Sequence, residues 1–89
     1  MTPEPVSTPE LWRATQTGDK AAFGLLYDHL APLIYGLCLG MSSDAVAAQD
    51  ATRQTFVQMW QQAPRLPAVY DDMRTLVCSM ARRNSLTLA

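Results

Sequence analysis

The stretch "DKAAFGLLYDHLAPLIYGLCLGM", Asp19 to Met41, carries the reading on which the fold rests. Within it Phe23, Leu26, Tyr27, Leu30, Ile34, Leu37, Cys38 and Met41 recur at steps of three and four, the period of one face of an α-helix. Asp19 is placed to cap the first turn, and Gly40 followed by Ser42, Ser43 and Asp44 closes this helix and starts another. Pro32 falls inside the pattern. It removes one backbone N–H, yet the apolar stripe runs in phase from Leu30 to Ile34 and Leu37. The expectation is therefore a kink between Asp28 and Pro32, not an end.

Toward the N-terminus, Thr8, Pro9 and Glu10 form a helix start: a hydroxyl cap, a proline in the first turn and a carboxylate at the positive end. This first helix carries Leu11, Trp12, Ala14 and Thr15 and stops at Gly18. Residues 1–7 have little apolar content and read as a flexible leader, with the folded domain spanning 8–89.

Toward the C-terminus a third helix is expected from about Asp44 to Gln61 and contains "AQDATRQTFVQMW", Ala48 to Trp60. Ala48, Ala51, Thr52, Thr55, Phe56 and Met59 form its core stripe, with Trp60 at one margin. The opposite face carries Asp50, Arg53, Gln54, Val57 and Gln61, an order no core requires. "APRLP", Ala63 to Pro67, breaks the chain, and its prolines exclude a helix there. Asp71 and Asp72 open a fourth helix with Met73, Leu76, Val77, Met80 and Ala81 as its apolar face. No stretch alternates apolar and polar residues as a strand does, so the fold class is all-α, a small four-helix bundle with a kinked long second helix.

With 89 residues, 48% of them hydrophobic and 17% charged, the chain is expected to fold as one small domain and not to stay disordered. Its net charge of -1 gives no overall attraction to nucleic acid or an anionic membrane, so any DNA contact needs a local patch. All the cations except Lys20 are arginines, which suit directed contacts to phosphates and base edges. Cys38 and Cys78 lie in apolar helical patterns and read as buried thiols, neither a disulfide nor metal ligands. His29 has no second ligand nearby and reads as solvent-facing. No long uninterrupted apolar run and no basic signal-peptide start are visible, so a soluble, cytoplasmic protein without a membrane span is expected.

Catalytic chemistry is missing from the pattern. The only histidine sits on the long second helix, away from any paired nucleophile. The glycines are scattered and form no phosphate-binding loop, and the adjacent Asp71 and Asp72 diverge by about 100° on a helix. The chain reads as a binding module, not an enzyme, and calls for no metal or cofactor.

Three stretches in order resemble region 2 of bacterial RNA polymerase sigma factors, specifically the small extracytoplasmic-function (ECF) group. "GDKAAFGLLYDHLAPLIYGLCLGM" is similar to the group's "GD..AF..LYD.YAP.VY.LA", including the mid-helix proline. "AAQDATRQTFVQMW" is similar to its "A.DL.QE.F...W", and "MRTLVCSMARRNSLTLA" resembles its "..WL..IARN...D" helix. The likeness covers residues 10 to 88. It implies a transcription-initiation domain whose third helix docks on a coiled coil of the polymerase largest subunit. It further implies that the following loop and the fourth helix open the promoter −10 element and hold its non-template single strand.

Carried over by position, the resemblance makes Asp50, Arg53, Gln54 and Val57 the polymerase-binding face. On the DNA side stand the loop from Gln62 to Tyr70 with Arg65, then Arg74, Arg82, Arg83 and Asn84. The residue types permit this: opened strands are gripped by cations along the backbone and by bases stacking on aromatics such as Tyr70. Without the resemblance, these arginines read as ordinary solvated charges. Two positions depart from the family. Its Gln-Glu docking pair is Arg53-Gln54 here, which adds a cation and removes an acid, and Thr75 stands near its fourth-helix tryptophan. A complete member also carries a helix-turn-helix domain for the −35 element, so the chain is expected to be one domain of a longer protein. An anti-sigma factor is a further partner the resemblance brings. The rival reading is a degenerate sigma-like interaction module that binds polymerase or an anti-sigma factor without promoter recognition.

Overall fold

A computed structural model describes residues 7–88 of the chain, with four α-helices and no strand among them. The leader expected at the N-terminus lies, for residues 1–6, outside the described residues.

Helix α1, Thr8–Gln16, starts one residue earlier than the cap read from the sequence. Ser7 holds the extended backbone of a cap, and its hydroxyl accepts from the Glu10 N–H at 3.4 Å, while Thr8 is already helical. Both residues carry a capping hydroxyl, and a proline is tolerated at either of the first two helical positions, so composition alone did not separate them. Gly18 leaves α1 with φ +93°, a left-handed conformation in which a Cβ is strained.

Helix α2, Lys20–Met41, is capped by the Asp19 carboxylate, which accepts from the Ala22 N–H at 3.0 Å. It continues through Pro32 as a single element. Pro32 and Asp28 both lie on the exposed side of α2, where loss of one backbone hydrogen bond is least costly. Helix α3, Ala45–Gln62, is capped by Asp44, which accepts from the Ala47 N–H at 2.8 Å, and buries the expected stripe in full. A 3₁₀ turn at Ala63–Arg65 follows where no helix was expected; its i→i+3 pairing tolerates Pro64 at the start because that position has no N–H partner to lose. Helix α4, Tyr70–Leu88, closes the fold.

Helix α2 is the hub, packing against α1, α3 and α4, and α3 packs against α4. Its buried side is Ala22, Leu26, Leu30, Ile34 and Cys38, each large aliphatic side chain contributing about 1.5–3 kcal/mol. Around it close Trp12, Phe56, Met59, Met73, Val77 and Ala81. Tyr27 and Met41, placed in the α2 stripe by periodicity, are exposed, and so is Leu76 of α4 at 44%. The α4 seam is rotated instead toward Asn84 and Ser85, whose polar groups are buried because each finds a partner. Buried hydroxyls on α1, α3 and α4 follow the same rule. Thr15, Thr52, Thr55 and Ser85 each donate to the carbonyl four residues back, at 2.7–2.8 Å.

By length and composition alone α2 would suffice to cross a membrane, with a mean hydropathy of 1.4 over its most apolar window. Exposed Leu25, Leu33 and Leu39 add to the buried stripe to reach that value, although Asp28 and His29 interrupt the apolar run. The buried stripe of α2 is engaged with three other helices, as in the core helix of a bundle.

Candidate functional site

On the exposed side of α3, Asp50, Arg53 and Gln54 face solvent and Val57 is 45% exposed. At steps of three and four they share one exposed face of α3, within about 100° of arc. Arg53 and Val57 border a cleft of about 280 Å³ between α2 and α3, lined also by Phe23, Tyr27, Phe56 and Trp60. Asp50, about two turns before Val57, and Gln54, about 100° around the helix from Arg53, flank the cleft without lining it. Rings make the cleft's walls: Phe23 to Trp60 at 5.1 Å between centroids, Tyr27 to Phe56 at 4.2 Å. A second hollow containing Tyr35 and Gln49 continues the groove past Tyr27 and Arg53.

This aromatic groove was not legible from the sequence, where Phe23, Tyr27 and Phe56 were assigned to core stripes and Trp60 to a margin. The available signal was the pairing of aromatics four apart on both helices, 23 with 27 and 56 with 60.

The basic residues occupy a different side. Arg65 is exposed in the 3₁₀ turn, and Tyr70 begins α4 half-buried. Burial pushes the Tyr70 phenol above its ordinary range, partly opposed by the Arg74 guanidinium one turn on. Arg74 and Arg82 border a cleft of about 410 Å³ between α2 and α4, floored by Leu33, Leu37 and Cys78. Cys78 is thus half-buried at a groove, contrary to the expected core thiol, whereas Cys38 is fully buried near the Ala81 carbonyl. Arg83 is exposed but does not line this cleft, since the residue after Arg82 points about 100° away.

Asn84, expected on the DNA side, lies in the α3–α4 seam. It is 8% exposed, and its amide donates to the Thr55 hydroxyl and to the Gln58 carbonyl oxygen, both at 3.0 Å. Those donors tie α4 to α3.

The loop between α3 and α4 is held from the N-terminal helix. Gln16 Nε2 donates to the Ala63 and Leu66 carbonyls at 2.9 and 3.0 Å, and Trp12 Nε1 donates to the Pro67 carbonyl at 2.8 Å. Beside this seam Pro9, Glu10 and Arg13 of α1 face Val69, Tyr70 and Asp71 across a further cleft of about 410 Å³. Among the described residues no group of three or more His, Cys, Asp or Glu is placed to hold a metal ion.

Residues 26–88 match the family model for Sigma-70 region 2. The chain belongs to that family. The matched segment takes in most of α2 and all of α3, the proline loop and α4, so both the aromatic groove and the basic side lie largely within the Sigma-70 region 2 domain. Helix α1 lies outside the match. The domain is also similar to proteins named ECF RNA polymerase sigma factor SigK. The one from Mycobacterium ulcerans (strain Agy99) is 26% identical over 76 residues, which is 85% of this chain and 41% of that protein. Those from Mycobacterium bovis (strain BCG / Pasteur 1173P2) and Mycobacterium tuberculosis (strain ATCC 25618 / H37Rv) are 25% identical over the same length and shares. The chain thus spans less than half the length of these relatives. No solved structure matches significantly.

Proposed function

We propose that this chain acts in transcription initiation as the region 2 domain of an ECF-type sigma factor in the cytoplasm. In this reading α3 and the groove beside it dock on the coiled coil of the RNA polymerase largest subunit. The proline loop and α4 hold the non-template single strand of the promoter −10 element. The observation that carries it is the segregation of surfaces: an aromatic, nearly uncharged groove at α2–α3, and Arg65, Tyr70, Arg74 and Arg82 on the loop and α4. An apolar groove suits a helical protein partner, while cations with an aromatic suit an opened strand.

The Asn84 geometry favours a second reading, an interaction module that keeps the fold without promoter recognition, because one expected DNA contact is committed to the core. One set of titrations separates the two. Fluorescence anisotropy with single-stranded and duplex −10-type oligonucleotides across a salt series tests the strand, and calorimetry with the polymerase coiled-coil fragment tests docking. Three arginines neutralising one phosphate each give a slope of about −2 in log K against log salt, at ~0.7 per phosphate. Single-strand preference with such a slope supports promoter recognition. Coiled-coil binding with no strand binding at low salt supports the interaction module.

A further inference from the structure

The loop from Ala63 to Val69 has little backbone pairing of its own, chiefly the Leu66 N–H bonding back to Gln62 and Ala63. Pro64 and Pro67 have no N–H to donate, and beyond the single 3₁₀ turn the chain leaves helical geometry at Leu66. Three of its carbonyls are also met by side chains of α1. Gln16 bridges Ala63 and Leu66, and Trp12 takes Pro67, across 47 to 55 residues of sequence. Trp12 is 0% exposed, so its indole N–H is a fixed point set in the core. Arg65 lies between the two carbonyls that Gln16 joins, and Tyr70 follows three residues after the one that Trp12 holds.

We propose that Trp12 and Gln16 are positioning residues for strand binding. Helix α1 clasps the loop in the one shape that presents Arg65 and Tyr70 together, and its outer face forms the second wall of the cleft beside Tyr70. This rests on the strand-holding reading above and extends it to a helix outside the family match. The physical gain is preorganisation: a loop already ordered loses less conformational freedom when a strand binds. The clasp involves no side chain that lines the α2–α3 groove, although it begins two residues beyond Gln61 at the groove's end. Loosening it therefore weakens strand binding and spares docking.

The test uses the full chain with Gln16→Leu, which keeps a side chain of comparable bulk and removes both donors, and Trp12→Phe, which keeps a buried ring and removes one. The probes are a labelled A/T-rich single-stranded oligonucleotide, its duplex and the polymerase coiled-coil fragment. Gln16→Leu is expected to raise the single-strand Kd about tenfold, with duplex and coiled-coil affinities within about twofold of wild type. Exchange of the Leu66 amide, which bonds back to Gln62 and Ala63, should quicken while the α2 amides stay protected. Proportional loss of every affinity with a lowered melting temperature would mean a merely structural role and overturn the proposal. Unchanged Leu66 exchange overturns it too. If the wild type binds the strand, Arg65→Ala weakens it and Gln16→Leu does not, the positioning role alone fails. A wild-type chain that binds no strand removes the strand-holding reading and this role with it.

Discussion

Asn84 on α4 donates its side-chain amide to the Thr55 hydroxyl on α3 at 3.0 Å, in a site where Asn84 is 8% exposed. The Thr55 hydroxyl in turn donates to the Ala51 carbonyl at 2.8 Å, so a chain of hydrogen bonds crosses the α3–α4 seam. Asn84→Ala should cost about 1–3 kcal/mol, the penalty for leaving buried polar groups unmatched. Urea unfolding measures it. Strand affinity per folded molecule should not change, and a loss there at unchanged stability would return Asn84 to the DNA side.

Pro32→Ala should stabilise the chain. The substitution restores an N–H to the α2 ladder and removes a ring clash that costs up to about 3 kcal/mol in a helix interior, offset in part by a freer unfolded chain. The expected result is a higher urea midpoint with unchanged helical content. A lower midpoint would show that the packing of α2 against the other helices depends on the proline.

Arg53→Gln with Gln54→Glu restores the docking pair of the ECF group. Because Arg53 borders the aromatic cleft and Gln54 does not, the two single variants separate the cleft's rim from the face beside it. The double variant should bind the polymerase coiled-coil fragment several-fold more tightly, with stability within about 0.5 kcal/mol, as for exposed substitutions. Calorimetry on both singles and on Val57→Asp, which puts a charge at the cleft's rim, completes the set. Equal affinities throughout would retire α3 as the docking helix.

Tyr70 links stability to alkaline pH. Its folded pKa is raised, chiefly by burial, so the folded state holds the phenolic proton more tightly than the unfolded chain. That contribution is intact below the unfolded value of about 10 and is lost as pH rises through the folded value. Urea midpoints between pH 9 and pH 11 should fall less steeply in Tyr70→Phe than in wild type. Parallel curves would mean that Tyr70 ionises equally in both states.

The four helices were legible from local signals alone. The three- and four-residue apolar steps, the Asp19 and Asp44 caps and the prolines after Ala63 all act within a few residues of one another. The stripe of α3, Ala48 through Met59, was read correctly because small and β-branched residues there leave one face that can pack closely. Tertiary structure decided what lies between elements. Leu76 is exposed and Asn84 is buried because the α4 seam follows the partner that Thr55 and Gln58 offer on α3, and periodicity cannot weigh a polar residue whose partner is 26 to 29 positions away. The aromatic groove exists only where α2 and α3 meet. The proline loop is tied to Trp12 and Gln16, half the chain away, because its prolines supply no N–H of their own and its Ala63, Leu66 and Pro67 carbonyls meet side-chain donors of α1.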